Sequence, residues 1–403
     1  MLKLITFSAC LLAVFAAAAS AGGIYWDIQT VATQVDGAHN NVHLAFKNGV
    51  PLIGYMDEYA SPTLRNLYLS VQTGEYEWEK RFVDTANFDK GLSAIAVDSN
   101  GATHLSYITA GSQYRYSKFT DDWNQSTQII YQHAMDCGLT LDNFERPVYE
   151  FSYFLSKTNH EYLRMGKNDG GGYYWNNATG FPSAGIFDWE SGAFDDQGNM
   201  MLTLNHYEAG MDYGSTHYIH RTAGGIFSDY EFGEDILGSD GLFVGDIPTV
   251  ALLERVSDTE SQIVLYEYDN GEWLSRILTD FGQYRPVVMD AALDNEGNAA
   301  IAFAEEDGSI WYMYYDTDMG GWSSPHHVYG PLVGAFDVDL LSLELAFDAE
   351  NLAAIAFYDP VEESVMYALD PPLGGVVPEP SVLIMIGAGL AAVAGIVRRK
   401  VSR

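Results

Sequence analysis

Between Gly91 and Tyr107 lie two short, largely apolar runs, Leu92 to Val97 and Ala102 to Tyr107, broken by Asp98-Ser-Asn-Gly101. Short apolar runs bounded by turn residues predict strands, and the Asp-x-x-Gly break predicts the hairpin turn that joins them. The same unit returns at Ala193 to Leu204, at Ala291 to Phe303 and at Leu345 to Phe357, turning at Asp195, Asp294 and Asp348. Weaker copies turn at Phe46, Asp142 and Asp246, so successive turns lie 44 to 54 residues apart. After each turn comes a third alternating run, such as Leu67 to Ser70, Tyr114 to Ser117, Ile263 to Tyr266 or Trp311 to Tyr314. An aromatic then opens a fourth: Trp78, Trp123, Trp175, Phe227, Trp273 and Trp322.

Four strands per repeat of about 50 residues is the unit of a β-propeller blade. The last repeat ends near Asp370 after its third strand, and Tyr25-Trp26 to Val31 has the form of the missing fourth, as in Glu77 to Val83 and Glu272 to Leu278. The pattern predicts an all-β fold, a seven-bladed β-propeller over residues 22–370 whose N-terminal strand closes the last blade and removes an open edge. Two separate β-sandwiches, the alternative, predict no shared period.

The two ends break the pattern. Lys3, an apolar run from Leu4 to Ala19 and the small residues Ala19-Ser-Ala21 read as a signal peptide over residues 1–21 for the Sec translocon and signal peptidase. Cys10 lies inside the run, followed by further apolar residues, which disfavours a lipoprotein. At the other end, a linker over 371–380 leads to an apolar run and then to Arg398-Arg399-Lys400. From Val382 to Val397 that run has 16 residues, about 24 Å as a helix against a bilayer core of about 30 Å. It predicts a transmembrane helix over 381–397 in the inner membrane and a basic cytoplasmic tail over 398–403.

Charge excludes whole classes of partner. Lys and Arg number 20 against 55 Asp and Glu, a net charge of −35, and without the signal peptide, the apolar run and the basic tail the exported part is near −40, because five of those basic residues and none of the acids lie in these segments. Nucleic acid, whose phosphates need basic partners, is ruled out, and anionic lipid is disfavoured. With 14% aromatic and 47% hydrophobic residues, the chain is too apolar for an acidic disordered segment. Cys137 is the one thiol outside the signal peptide, so the fold is held by its core and not by a disulfide.

Pro378-Glu379-Pro380, a glycine-dotted apolar helix and the terminal basic cluster with Arg398 and Arg399 together resemble the PEP-CTERM sorting signal of Gram-negative bacteria. The resemblance covers only the last 27 or so residues. It implies an exosortase substrate, anchored transiently in the inner membrane, with its tail removed, and then placed on the cell surface or in the extracellular matrix of a biofilm or exopolysaccharide producer. The repeats themselves loosely resemble the BNR-like or sialidase-like propellers. Those enzymes carry Asp boxes with a Trp three residues after the Gly, which the hairpin at Asp98 lacks, and three converging arginines, whereas the exported arginines here are scattered. Fold does not fix function.

No nucleophile motif, phosphate loop, Cys pair or His-x-x-x-His is present. His43 and His104 fall in inner strands, as core or channel residues. The turn acids raise the question of Ca²⁺, but Asp-x-x-Gly supplies one or two ligands where a calcium loop needs several, and an Asp that accepts backbone N–H bonds explains the pattern without a cofactor. The loops between second and third strands carry acids with tyrosines among them. From these the candidate ligand-binding set is Asp57, Tyr59, Tyr207, Asp212, Glu305 and Asp359. Acids beside exposed tyrosines suit sugar hydroxyls and ring faces or cations, and a solvated acidic rim would look the same. The expected activity is non-catalytic binding of a glycan, such as an extracellular polysaccharide, or of another envelope component. The alternative is a secreted glycan-active hydrolase or lyase.

Overall fold

The computed structural model describes residues 26–35, 42–61, 64–87, 91–109, 111–155, 160–167, 176–181, 185–208, 213–223, 226–279 and 284–370, with the backbone alone described at 58–61, 87, 135, 152–155, 160–167, 176–181, 185–190, 207, 208 and 227. The N-terminal export segment and the C-terminal linker, sorting motif, apolar run and basic tail lie outside the described residues. Ile28–Leu369 forms one compact unit. Among the described residues it is all-β, apart from a single 3₁₀ turn at Val338–Leu340.

The strands fall into antiparallel quartets. After β1 (Asp27–Thr33), the first quartet is β2 (His43–Lys47), β3 (Val50–Ser61), β4 (Leu64–Gly74) and β5 (Glu77–Asn87). The second is β6 (Leu92–Val97), β7 (Thr103–Thr109), β8 (Gln113–Phe119) and β9 (Gln125–Gln132). The third is β10 (Ala134–Leu141), β11 (Pro147–Leu155), β12 (His160–Lys167) and β13 (Asn176–Phe181). Then β14 (Gly185–Phe194), β15 (Met200–Glu208), β16 (Gly214–Arg221), β17 (Phe227–Val244), β18 (Ile247–Ser257), β19 (Glu260–Asp269) and β20 (Glu272–Ile277) form one seven-stranded sheet. Its long β17 serves twice: up to Ile236 it pairs with β16, and from Ile236 onward with β18, so the sheet is a fourth and a fifth quartet sharing one strand. The sixth has β21 (Pro286–Leu293), β22 (Ala299–Glu305) and β23 (Ile310–Asp316), with its outer strand split into β24 (Gly321–Trp322) and β25 (His326–Tyr329). The last has β26 (Leu343–Phe347), β27 (Ala353–Asp359) and β28 (Ser364–Leu369), and its fourth strand is β1, hydrogen-bonded to β28. The closure expected from the sequence is therefore present. The innermost strands touch in a cycle, β2 to β6, β10, β14, β17, β21, β26 and back to β2.

Burial follows position in the quartet. The second strands β7 and β27 are buried at every residue, flanked by neighbouring sheets on both faces. This is why they read as near-continuous apolar runs such as Ala353-Ala-Ile-Ala-Phe357. Outer strands face water, and β20 is exposed at all but one residue. Adjacent quartets approach closely: a Cβ on Gly54 would stand 2.4 Å from the side chains of Ile95 and Leu92.

The hairpins between first and second strands share one device. At Asp98, Asp142, Asp195, Asp294 and Asp348 a carboxylate oxygen accepts the N–H groups two and four residues on, at 2.7–3.1 Å. Gly101 completes its turn at φ +74°, a region open to glycine at little cost. The second oxygen of Asp98 takes His104 Nε2 and Lys118 Nζ, each at 3.2 Å. Burial alone would raise this carboxyl, but the Ala102 N–H, His104 and Lys118 outweigh it and hold it below the usual range. A depressed value means that the stabilisation is present at neutral pH and is lost as pH falls through the folded value. Asp98→Ala should cost about 1–3 kcal/mol, the range for orphaned buried partners, when unfolding is followed by denaturant at pH 7, and the deficit should shrink in acid.

Candidate functional site

The expected ligand-binding residues are spread over the loops between second and third strands. Asp57, near the end of β3, is buried and ion-paired with Lys80 of β5. Burial alone would lower the Lys80 ammonium, but the bond to Asp57 raises it, and its Nζ lies 3.9 Å from the Tyr68 ring centroid. Glu305, at the end of β22, accepts the Arg285 N–H at 2.8 Å and the Trp311 indole N–H at 2.6 Å. Asp359, at the end of β27, is 1% exposed; it accepts the Val361 and Glu362 N–H groups and, at 2.8 Å, the Tyr329 hydroxyl. These three carboxylates are each engaged within their own corner and not with one another. Tyr59 pairs with Arg65, and Tyr207 with Gly214, through the backbone; their side chains, and all of Asp212, lie outside the description.

A second constellation lines the inner strands. Ser93, Cys137, Ser191, Asp240, Asp290, Glu344 and His43 come from the seven innermost strands, most of them four or five residues before the turn. They bond from strand to strand. The Ser191 hydroxyl accepts the Gly241 N–H at 2.6 Å, Asp240 accepts the Ala291 N–H at 2.8 Å, and Asp290 accepts the Leu345 N–H at 2.6 Å. His43 Nδ1 meets Glu344 at 2.6 Å, its Nε2 lies 3.3 Å from the Leu92 carbonyl, and Ser93 Oγ lies 3.0 Å from Cys137 Sγ. At the remaining seam Thr140 Oγ1 donates to the Gly192 carbonyl at 3.1 Å, so each quartet is stapled to the next by a polar side chain.

Asp240 and Asp290 are side-chain partners and cannot both be ionised. Burial first, then the Asp240 and Glu344 charges, push the Asp290 carboxyl well above the usual range, against the Leu345 N–H bond. Asp290 keeps some accessible surface, yet the surrounding strands desolvate it, and the pair shares a proton. Burial also raises Asp240, opposed by bonds from Ser191 and Ala291. Among the described residues no three His, Cys, Asp or Glu are placed to hold a metal ion. Reading the acids of the exposed loops missed this belt, whose sequence signal is weak: one polar or Cys residue three to six positions before each turn. His104, read as a core or channel residue, belongs to the core, with Nδ1 2.7 Å from the Tyr116 hydroxyl.

Against known proteins, residues 376–400 match the PEP-CTERM protein-sorting motif. The chain therefore carries a signal that implies export, cell-surface sorting and exosortase processing. No curated protein matches it in sequence. Solved structures with similar folds include the BP39L lectin of Burkholderia pseudomallei (8% identity over 81% of this chain and 97% of that one, TM-score 0.52). The hydrazine synthase of Kuenenia stuttgartiensis aligns at 10% identity over 84% of this chain and 96% of that one, TM-score 0.53. The β-propeller domain of the Trilobed protease from Pyrococcus furiosus aligns at 10% identity over 84% and 94%, TM-score 0.50. At these identities the likeness shows a propeller-like fold alone.

Proposed function

We propose that this chain is an exported surface or matrix protein whose ectodomain is a seven-bladed propeller that binds a glycan or another envelope component without catalysis. The observation that carries the reading is the sorting motif at 376–400, because it delivers the domain to a glycan-rich surface. In this reading the Sec pathway and signal peptidase remove residues 1–21. The segment 381–397 then anchors the chain in the inner membrane until exosortase cuts near Pro378-Glu379-Pro380. The closed cycle of innermost strands supports a ring of seven blades, and the likeness to BNR propellers is one of hairpin form. A lectin stands among the similar structures beside a hydrazine synthase and a protease domain, so glycan binding is one use that such a scaffold supports.

The proposed surface is the loop face around Asp57, Tyr59, Tyr207, Asp212, Glu305 and Asp359. A net charge of −35 favours neutral sugars or cations over anionic polymers unless Ca²⁺ bridges them. The alternative, a glycan-active hydrolase or lyase, finds support in the paired carboxylates Asp240 and Asp290, although both spend an oxygen on a neighbouring strand. A glycan array probed with the full-length protein, with and without Ca²⁺, tests the binding reading. A positive signal lost in Tyr59→Ala or Asp212→Ala is the expected result. These two are cleaner probes than Asp57 or Asp359, whose carboxylates hold the fold. Polysaccharide turnover abolished by Asp240→Asn would favour the enzyme, and an array signal indifferent to all six substitutions would remove the loop face.

A further inference from the structure

Between the fourth and fifth quartets four aromatic rings converge on one indole. The Trp273 ring centroid lies 4.9 Å from that of Tyr218, 5.0 Å from Phe232, 5.2 Å from Tyr268 and 5.7 Å from Tyr230. Tyr218, Tyr230 and Phe232 come from β16 and β17, and Tyr268 and Trp273 from β19 and β20. The inner part of the cluster is core: Phe232 and Tyr218 are buried with Met201 and Leu252. The outer lip is open, with Tyr230 47% and Tyr268 41% exposed.

Two features of this cleft bear on what it can hold. Many ring tips elsewhere are spent inside the protein: Tyr114 bonds to the Gly138 carbonyl, Tyr107 to Asp84, Tyr266 to Glu254 and Trp311 to Glu305. Here, among the described residues, no hydrogen bond engages the hydroxyls of Tyr218, Tyr230 and Tyr268 or the Trp273 indole N–H. The charges beside the cleft are also engaged: Glu254, next to Tyr266, accepts the Tyr266 hydroxyl at 3.0 Å and the Gln262 amide at 3.1 Å. Strand alternation puts Tyr218 opposite Tyr230 and Tyr268 opposite Trp273 on the facing surfaces, while Asp229, Glu231 and Glu267 point to the far sides. The nearest carboxylate to act on Tyr218, that of Asp195, is already bonded through both oxygens to Gln197 and Asn199. No Lys or Arg among the described residues lies over these rings.

We propose that this cleft is a carbohydrate subsite that takes an uncharged sugar ring, stacked on Tyr230, Tyr268 and Trp273 and hydrogen-bonded by their unspent tips. Aromatic faces match the C–H faces of a sugar, and hydroxyl and indole tips match its hydroxyls. A quaternary ammonium would also favour ring faces, but the carboxylate on this side, Glu254, is already engaged through both oxygens by Tyr266 and Gln262. The inference shares its ligand class with the preceding reading and rests on it for the source of that ligand; the site is a different one.

Calorimetric titration of the full-length protein with the methyl glycosides of glucose, galactose, mannose and fucose, beside glucuronate and tetramethylammonium, tests it. At least one neutral glycoside should bind. Trp273→Ala and Tyr268→Ala should each weaken that binding about tenfold or more, the scale of losing a stacked ring (about 1.4 kcal/mol or more). Trp273→Phe should stay within about threefold of the parent. Tyr268 is exposed, so its variant keeps the test open if Trp273→Ala fails to fold. Failure of every neutral glycoside to bind, binding of tetramethylammonium in their place, or affinity unchanged in Tyr268→Ala overturns the subsite. If binding is lost in Asp212→Ala but kept in Tyr268→Ala, the loop face stands and this cleft falls.

Discussion

Removal of residues 27–33 should lower the unfolding free energy by about 5 kcal/mol, through a lost strand ladder and newly exposed apolar surface. β28, buried at all but its last residue, would become an open edge, with Val365, Met366 and Tyr367 brought toward water. Val31 and Ala32 would no longer cover the core shared by the first and last quartets. The bond from Gln72 Nε2 to Gln29, at 3.0 Å, would go with them, and it joins β4 to β1 across those two quartets. An exposed ladder also recruits other strands, so the truncated protein should associate at concentrations where the parent does not. Denaturant unfolding with sedimentation reads both effects. An unchanged midpoint would mean that β1 closes nothing.

The second large effect lies in the belt. A carboxyl whose folded value is raised stabilises the protein fully below its unfolded value of about 3.9, and that stabilisation is lost as pH rises through the folded value. Asp290, pushed up by burial and by the Asp240 and Glu344 charges, therefore works against stability on the alkaline side. This is the opposite sign to Asp98. Asp290→Asn keeps an acceptor for the Leu345 N–H and a donor toward Asp240, and so copies the protonated form. It should raise stability at pH 8 by about 1–3 kcal/mol and flatten its decline as pH rises above the usual carboxylate range. Asp290→Ala, which orphans the Leu345 N–H, should lose stability across the whole range. Melting curves from pH 4 to pH 9 decide between these outcomes, and an Asn variant that follows the parent at every pH would contradict a shared proton.

Much of the architecture was legible because its signals are local. The turn aspartates mark the hairpins, since each binds N–H groups two and four residues ahead. Trp78 and Trp273 do open outer strands, and β1 has the pattern of those strands. Two departures depend on tertiary packing. Nothing around Gly233 to Gly238 announces that one strand runs on from the fourth quartet into the fifth, and nothing near Ser323 announces that β24 and β25 divide one outer strand. The belt was hidden for another reason. Bulges between Leu92 and Ala94, Trp189 and Ser191, and Ile236 and Gly238 shift the inner strands out of strict alternation, so the residues facing the neighbouring quartet cannot be counted off by twos. In the loops, sequence showed acids where the fold uses them as fasteners. Asp359 grips its own turn as the hairpin aspartates do, a pattern readable from its spacing to Val361 and Glu362.

The account rests most directly on the C-terminal signal being used. Intact-mass spectrometry of the native protein from the extracellular fraction should show a chain that begins at residue 22 and ends near Pro378-Glu379-Pro380, without the apolar run or Arg398 and Arg399. A chain that reaches Arg403 in that fraction would contradict it.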